Sequence, residues 1–470
     1  MPRRWDILDR VAFAAFLAIL VIQLFIPPVL GLANSGDFSK VTGTFGLYSP
    51  APDYTFAPTT YVFDPKYVWH PGFLSSELLL AKAAIAIDRV FVKPGVFDLR
   101  CIGLVHGALY ALAFGLALPL LHGLSRIRRA GLIGLALLIF GDVLYVSALN
   151  SFYMDTAAFV FLCLAVVLYL RAARWRRMAD RAALALALGL LLTSKTQHVL
   201  LSCVAFVLVV WNWRELGGSW MSRPVVGAVW AASLTILHFG TPAGYSETPA
   251  FNVIFWGLMP QSKDVAADLT QLGLDSSYRK FVGMHAYSSG EPLNDQAFVE
   301  AFGRRTGYGR IGKYYATHPR SAFRVLWEEA METGRQRPDM GNYDPATGAK
   351  EFQQSKAFSI WSGMKQALFW KHATPYLAYL VALLSGMIGV AWWRRRSLPA
   401  AVVLGAYAFV VMTVLEWLTS SLGDVLDVIR HHFVFTATSD IAFLMVAAML
   451  LAGGANPTDP RSVRCKFYKS

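Results

Sequence analysis

Long apolar stretches constrain this chain more than any other feature of its sequence. Three of them, at residues 11–32, 102–121 and 399–415, approach the roughly 20 residues that a helix needs to cross a bilayer. Only 16% of the 470 residues are charged, and the mean hydropathy is +0.44. A soluble protein of this length needs a larger polar surface. The sequence therefore predicts an all-α, polytopic membrane protein.

The apolar stretches and their breaks predict ten membrane spans. These are 11–32, 98–121, 130–149, 156–172, 180–195, 197–213, 224–240, 373–393, 398–418 and 431–452. They define an N-terminal transmembrane module (1–240, with a first outer loop at 33–99), an extracytoplasmic and mainly helical loop subdomain (241–372) and a C-terminal transmembrane module with a tail (373–470). Within the first loop, 74–91 is amphipathic enough for a helix along the membrane interface. The first stretch is too long for an ordinary signal-peptide core, so we expect an uncleaved helix.

Basic residues occur in short clusters between the apolar stretches, at 126–129, 174–177 and 394–396. Because Lys and Arg concentrate in cytoplasmic loops, these clusters and the N-terminal Arg residues predict that both termini are cytoplasmic in the inner (plasma) membrane. The clusters are not interleaved with aromatic side chains, so the net charge of +13 does not indicate a nucleic-acid partner. The four cysteines show neither a disulfide framework nor a metal-ligand spacing.

With this topology, polar residues that could support catalysis gather on the outer face. Asp37 follows the first span, and a carboxylate at the membrane rim can accept a proton from an attacking hydroxyl. The alternative is that Asp37 only satisfies backbone donors in a turn. Asp155 begins the fourth span, where it either stabilises the helix start or, with Asn150 and Tyr153, binds sugar hydroxyls or a divalent ion.

Cationic and imidazole side chains on the same face are candidates for phosphate binding. Lys195, with His198 three residues further along one helical face, either extends towards the headgroups or binds a phosphate. Arg430 contradicts the positive-inside rule and therefore needs a reason, which is either pairing with Asp424 or Asp427 or binding a phosphate together with His431 or His432. Two acids lie within predicted spans and are further candidates, Glu416 and Asp440.

The compartment narrows the chemistry of such a site. Nucleotide-activated donors and ATP are cytoplasmic, so a transferase on the outer face needs a donor that has been carried across the membrane. A polyprenyl-phosphate sugar meets this need, and it requires a cationic phosphate site at lipid depth beside a carboxylate base. We therefore expect three kinds of partner, namely a polyprenyl-phosphate sugar donor, a glycan or lipid acceptor, and membrane lipids.

Several segments in matching order resemble the GT-C superfamily of lipid-dependent glycosyltransferases and, more narrowly, the bacterial glycan-biosynthesis hexose transferase (WsfD-type) family. They are NSGDF (34–38), NSFYMD (150–155), FNVIFWG (251–257), DLTQLGLD (268–275), YATHP (315–319) and 423–435. The resemblance implies a GT-C-like fold and hexose transfer with inversion at the anomeric carbon. It makes Asp37 the catalytic base or a metal-linked residue, with Mg or Mn as a possible cofactor.

The combined prediction is an integral-membrane glycosyltransferase that contributes to a cell-envelope glycan. Asp37 would be catalytic, and the predicted substrate-binding residues are Asn34, His70, Asn150, Tyr153, Asp155, Lys195, His198, His318, Arg337, Asp427, Arg430 and His431. Two alternatives remain. One is a transporter or flippase of a lipid-linked glycan, which would need polar residues along a path through both leaflets. The other is an outer-face acyltransferase or glycan ligase.

Overall fold

The computed structural model describes residues 5–68, 73–242, 244–288 and 292–452, and this part of the chain is mostly helical. The helices of the N-terminal half are α1 (Ile7–Leu24), α2 (Ser39–Phe45), α3 (Ser76–Phe91), α4 (Arg100–Ala117), α5 (Arg126–Phe140), α6 (Val143–Leu149), α7 (Met154–Trp175), α8 (Met178–Leu192), α9 (Val199–Trp211) and α10 (Arg223–Gly240). Those of the C-terminal half are α11 (Glu247–Phe251), α12 (Val265–Gln271), α13 (Gln296–Arg305), α14 (Tyr308–Thr317), α15 (Pro319–Thr333), α16 (Ile360–Phe369), α17 (Ala373–Arg394), α18 (Ala400–Leu422), α19 (Val428–His431) and α20 (Phe433–Leu451).

Six helices in the described part of the chain are long and apolar enough to cross a membrane, namely α1, α4, α7, α17, α18 and α20. A seventh span results if α5 and α6 are counted as one broken helix, bent by 58°. The chain is thus a multi-pass membrane protein, but the predicted ten spans are not confirmed. Helices α8 and α9, with 15 and 13 residues, are shorter than a usual span, and α10 is not among the six.

Helix boundaries differ from the predicted spans where polar groups or prolines intervene. Helix α1 begins at Ile7 because the Asp6 side chain caps it, and it ends well before residue 32, ahead of Pro27 and Pro28. The predicted third span bends at Asp142, whose carboxylate accepts hydrogen bonds from the Leu144 amide (2.9 Å) and the Ser362 hydroxyl (2.7 Å). The bend therefore anchors α16 to the bundle.

The basic clusters meet at one end of the helix bundle. Arg129 binds Asp9 in the first turn of α1 (2.6 Å), and Arg174 at the end of α7 donates to the Leu120 carbonyl just beyond α4 (2.6 Å). Arg128 donates to the carbonyl of Leu451 at the end of α20 (3.2 Å). Ser397, directly after the third cluster, lines the same cavity as Arg174. We call this end of the bundle the basic end.

The first loop contains a small sheet that the all-α prediction did not include. Its strands are β1 (Leu47–Tyr48), β2 (Thr60–Phe63) and β3 (Val96–Asp98), which pair antiparallel in that order. Helix α3 matches the amphipathic helix predicted at 74–91. Its inner face is tied to α4 by Glu77 and His106 (3.1 Å), while Phe91 is among the side chains exposed on its outer face. Sheet and helix together hold the start of α4 against the loop that follows α1.

The segment 244–372, which we call the connecting segment, joins α10 to α17. It is mainly helical and has a hydrophobic cluster of its own around Phe251, Phe255 and Phe302. Directly after α11, residues Asn252–Leu258 form a π-helix. The main bundle core lies elsewhere, around Tyr145 and Phe159 in stacked contact.

Candidate functional site

The predicted catalytic and phosphate-binding side chains lie in one largely buried group of ion pairs, which we call the charged cluster. Its members are Asp37, Lys40, Asp155, Lys195, Asp427 and Arg430. The carboxylate of Asp37 pairs with the guanidinium of Arg430, and Lys195 Nζ lies 2.9 Å from a carboxylate oxygen of Asp155. Arg430 also lies 4.0 Å from Asp155, which joins the two pairs. Asp155 is in the first turn of α7, whose last turn lies at the basic end. The charged cluster therefore occupies the opposite end of the bundle.

A tight turn after α1 positions Asp37. The Asn34 side-chain carbonyl accepts hydrogen bonds from the amides of Gly36 and Phe38 (both 3.0 Å), and Gly36 adopts a φ of 91° that favours glycine. Lys40, one turn further along, lies 2.5 Å from the Asp37 carboxylate. Asn34, predicted to bind substrate, thus builds this turn, and it is the Asn34 side chain, not that of Asp37, that satisfies the backbone donors.

Lys195 and His198 reach Asp155 from the chain between α8 and α9. Lys195 has an extended backbone and is followed by a single 3-10 turn, so the two residues do not share one helical face as predicted. Their side chains nevertheless converge on Asp155, because Nε2 of His198 lies 3.3 Å from the Asp155 carboxylate. Lys195 is only 4% exposed, which excludes the reading in which its ammonium extends towards the lipid headgroups.

Behind the ion pairs lies a layer of polar contacts from α18 and α19. His198 Nδ1 is 2.8 Å from Glu416 Oε1, the acid that the sequence marked within the ninth predicted span. The Gln197 amide donates to the His431 carbonyl (2.8 Å), and its oxygen lies 3.2 Å from His431 Nδ1. These contacts fix the direction of the imidazoles beside Asp155.

Arg430 is held on several sides. Its guanidinium lies 3.5 Å from Asp427 and 5.4 Å from the ring centre of Tyr153, whose hydroxyl donates to the Ala33 carbonyl (2.7 Å). The Tyr54 hydroxyl also contacts the residues around Arg430, because it donates a hydrogen bond to Asp427 (3.1 Å). Neither Tyr54 nor Lys40 was a sequence candidate. Only the three-residue spacing from Asp37 could have indicated Lys40, and no local pattern links Tyr54 to a residue 373 positions away.

The charges of the cluster are balanced, which bears on a divalent cofactor. Three carboxylates (Asp37, Asp155 and Asp427) face three cations (Lys40, Lys195 and Arg430). A divalent ion prefers carboxylates that carry excess negative charge, so these residues as arranged do not fit Mg or Mn. In the described residues the one group with metal-like spacing is Asp6, Asp9 and His122 at the basic end, where Arg129 already binds both acids.

Burial and cations act in opposite directions on Asp37. Burial raises the pKa of its carboxyl, but the charges of Arg430, Lys40 and Lys195 outweigh this and hold the pKa well below its usual range. Asp37 is therefore ionised while the ion pairs are intact, and it is a weak proton acceptor in that state. A small cavity of about 30 Å³ adjoins the cluster and is lined by Asp155, Arg430 and Arg337, among others.

Some predicted binding residues lie outside the charged cluster. Asn150 is fully buried and donates to the carbonyls of Leu24 (3.1 Å) and Leu30 (2.8 Å), so it stabilises the turn after α1 instead of facing a cavity. His318 stacks on Tyr314 in the connecting segment, with a ring separation of 4.2 Å. Asn150 is thus held by carbonyls at the end of α1 and in the turn after it, and His318 lies 3.8 Å from Asp268 within the connecting segment.

Three further candidates have distinct positions. Arg337 reaches only the adjoining cavity, where it donates to the Asn342 side chain (2.9 Å). Asp440 is bonded by Lys365 (2.9 Å) and other donors within the bundle, which fits the helix-to-helix contact that the sequence left open. His70 lies outside the described residues.

The comparisons with known proteins give one family. A family model described as the YfdI N-terminal transmembrane domain matches residues 5–457. No curated protein and no solved structure gave a significant match. The narrower resemblance to the hexose transferase (WsfD-type) family is not confirmed. Because the matched range covers nearly the whole chain and every member of the charged cluster, the chain belongs to the YfdI N-terminal transmembrane domain family.

Proposed function

We propose that this protein is a GT-C-like glycosyltransferase that moves a hexose from a polyprenyl-phosphate donor to a glycan or lipid acceptor. The observation that carries the proposal is the burial of Lys195 and Arg430 against Asp37 and Asp155 at one end of a membrane helix bundle. Such a combination supplies both phosphate binding and a carboxylate base at lipid depth. Membership of a GT-C-like family of membrane glycosyltransferases supports it.

The donor phosphate would bind to Arg430 and Lys195. A guanidinium can form two parallel hydrogen bonds with phosphate oxygens, and the ammonium of Lys195 adds a second charge. Both cations are already buried and oriented by Tyr153, Asp155 and Asp427, so little reorganisation is needed when charge develops on the departing phosphate. Asp155 and Tyr153 would also orient the sugar.

Donor binding would also activate Asp37. When the phosphate attracts the Arg430 guanidinium, Asp37 loses its strongest cationic neighbour and its pKa rises, because burial then dominates. The acceptor oxygen attacks the anomeric carbon while the bond from that carbon to the phosphate oxygen breaks. The hydroxyl proton passes to Asp37, and polyprenyl phosphate leaves with the electron pair. Attack opposite the leaving group inverts the anomeric carbon.

We place this reaction on the outer face of the inner membrane. The basic clusters lie at the other end of the bundle, and cytoplasmic loops are the ones enriched in Lys and Arg. Counting α8, α9 and α10 as crossings, with α5 and α6 as one broken span, gives ten spans and two cytoplasmic termini. With this topology, the donor and the acceptor glycan both reach the charged cluster from the outer side of the membrane.

A transporter fits the molecule less well. Between the charged cluster and the basic end lies a cavity of about 620 Å³ whose lining is almost entirely apolar, with Arg174 and Ser397 as its polar contributors near the basic end. A glycan or phosphate crossing the bundle would need polar side chains along this path. The cavity therefore does not extend the charged cluster into a polar route.

The proposal is tested by sugar transfer with purified protein and radiolabelled polyprenyl-phosphate hexoses. We expect Asp37→Asn to lower the rate at least about 100-fold, because general-base catalysis is lost. Asp64→Asn in the same loop is the matched control, since asparagine also caps the short helix that Asp64 begins. Undiminished transfer by Asp37→Asn would remove Asp37 from the mechanism, and absence of transfer by the wild type with every hexose would contradict the function.

A further inference from the structure

The buried side-chain amide of Asn252 joins two segments of the chain that lie beside the charged cluster. Asn252 begins the π-helix and is 1% exposed. Its side-chain oxygen accepts a hydrogen bond from the Ala286 amide (2.8 Å), and its nitrogen donates to Asp424 (3.3 Å). The chain around Ala286 and the carboxyl of Asp424 are therefore held side by side. A π-helix is rare and is frequently found at functional sites.

Three exposed aromatic side chains lie beside Asp424 or on the segments bonded to it. Tyr308 is 45% exposed and donates to the carbonyl of Gly423 (3.0 Å). Tyr287, 68% exposed, directly follows Ala286, the residue bonded to Asn252. Trp256, 46% exposed, is on the π-helix and packs edge-on against His285 with ring centres 5.4 Å apart. We call Trp256, Tyr287, Tyr308 and Asp424 the aromatic rim.

The aromatic rim is continuous with the charged cluster. The carboxylate of Asp424 lies 3.6 Å from His431, the residue after Arg430. Tyr287 is close enough to Asp37 and Arg430 for their charges to act on it. A molecule lying against the rim would therefore extend towards the carboxylate that we propose as the base.

We infer that the aromatic rim binds the saccharide part of the acceptor, an inference that rests on the proposed function and specifies the substrate class at its second subsite. Aromatic rings offer apolar faces that fit the C–H faces of a pyranose, and a carboxylate accepts hydrogen bonds from its hydroxyls. The mixture of exposed rings with an acid held by a buried amide matches this ligand. A purely lipid-facing belt has its aromatic rings beside aliphatic side chains and needs no such acid.

The test compares acceptor and donor kinetics of single variants in the full-length protein. Acceptor is the delipidated envelope glycan extracted from the source cells, and donor is the radiolabelled polyprenyl-phosphate hexose that the wild type uses. We expect Trp256→Ala and Tyr287→Ala to raise KM for the glycan about 3- to 10-fold. The KM for the donor and the slow release of sugar to water should stay unchanged. Phe323→Ala, a similarly exposed aromatic residue of the connecting segment, is the matched control.

Each result decides separately about the rim and the function. Unchanged glycan KM in both variants, with transfer intact, overturns the rim assignment and leaves the proposed function standing. A lower rate with both KM values unchanged also overturns it, since that pattern indicates a structural role. Contact with lipid is measured by quenching of tryptophan fluorescence with brominated phospholipids. If Trp256→Phe removes a large part of that quenching, the rim faces the membrane and the saccharide inference is wrong.

Discussion

The carboxylate of Asp37 and the guanidinium of Arg430 form an ion pair between residues 393 positions apart in the sequence. Each partner would have a different task in glycosyl transfer, since one accepts a proton and the other binds phosphate. Their pairing keeps both charges neutralised in a buried place, where an isolated charge is costly.

Two substitutions of Arg430 should show separately what its charge and its paired hydrogen-bond donors contribute to the rate of transfer. Arg430→Gln should lower transfer about 100-fold or more, because the developing phosphate charge loses its main partner. Arg430→Lys should retain part of the activity, since lysine keeps the charge but not the paired donors. Initial rates of transfer measure both. Arg304→Gln, at an exposed pair with Glu300, should be neutral. Equal rates for Arg430→Gln and Arg430→Lys would show that the positive charge at this position is not needed, and a wild-type rate for Arg430→Lys would show that the paired donors are unimportant.

The pair between Lys195 and Asp155 should contribute to stability as well as to binding. Lys195→Met leaves the buried acid with fewer cations, and we expect the free energy of unfolding to fall by about 3 kcal/mol. The double variant with Asp155→Asn should regain much of this loss but no activity. Thermal unfolding in detergent, compared with transfer rates, checks both parts. Recovery of activity in the double variant would mean that neither charge is needed for transfer.

Chelation should not inhibit the enzyme. The carboxylates of the charged cluster already face an equal number of cations, so we propose that transfer proceeds without a divalent ion bound there. Rates with and without EDTA, in protein purified without added metal, test this. Loss of activity on EDTA treatment, restored by Mg or Mn but not by Ca, would contradict the charge argument.

Acceptor binding should weaken in acid because of Asp424. Burial raises the pKa of this carboxyl to about 6, while the Leu426 amide and Asn252 oppose the shift. Above pH 6 the ionised form can accept sugar hydroxyls, and below pH 6 protonation removes an acceptor, so the glycan KM should rise as pH falls. Asp424→Asn should flatten this part of the profile. The charged or titratable neighbours that share the region are Asp37, Tyr287, Tyr308, Glu329, Arg430 and His431.

Those neighbours are the reason for a second measurement. If the acidic rise in glycan KM persists in Asp424→Asn, another member of the group causes it, and the assignment to Asp424 is wrong. Donor KM measured over the same pH range shows whether the phosphate site titrates instead.

The proposed sidedness can be measured with matched cysteine substitutions in a background without native cysteines. Ser276→Cys is exposed in the connecting segment, and Ser125→Cys is exposed beside the first basic cluster. A membrane-impermeant maleimide applied to intact cells should label the first position and not the second. The reverse pattern would place the charged cluster on the cytoplasmic side, where a nucleotide-activated donor becomes possible.

Long apolar stretches of the sequence predicted many helices of the bundle. Helix α10 (Arg223–Gly240) and helix α17 (Ala373–Arg394) lie within a residue or two of the predicted spans, because nothing polar interrupts them. The bend at Asp142 was missed, since an aspartate within an apolar stretch gives no sign of the Ser362 groups that it binds. Short strands in the first loop were missed for a similar reason, because their pairing depends on residues far apart in sequence.

Part of the charged cluster was predictable from residue type and position in the predicted topology. Asp37 and Asp155 were identified as carboxylates beside predicted spans, Lys195 as a cation that can bind phosphate, and Arg430 because it contradicts the positive-inside rule. Which acid pairs with which cation was not predictable, and Arg430 pairs with Asp37 as well as with its sequence neighbour. Asn150 was a candidate ligand because a polar amide ends an apolar stretch, and in the structure its side-chain nitrogen donates to two backbone carbonyls.

The long sequence separation within the charged cluster has a consequence for biogenesis. Ribosomes deliver Asp37 and Asp155 to the membrane well before α18 and α19 exist, so these acids remain without their arginine during most of synthesis. A nascent chain that stops before α18 would hold these acids with only Lys40 and Lys195 as cationic partners. Synthesis of the last helices would thus supply the guanidinium that joins the two acids, so the charged cluster could assemble only after nearly the whole chain has been made.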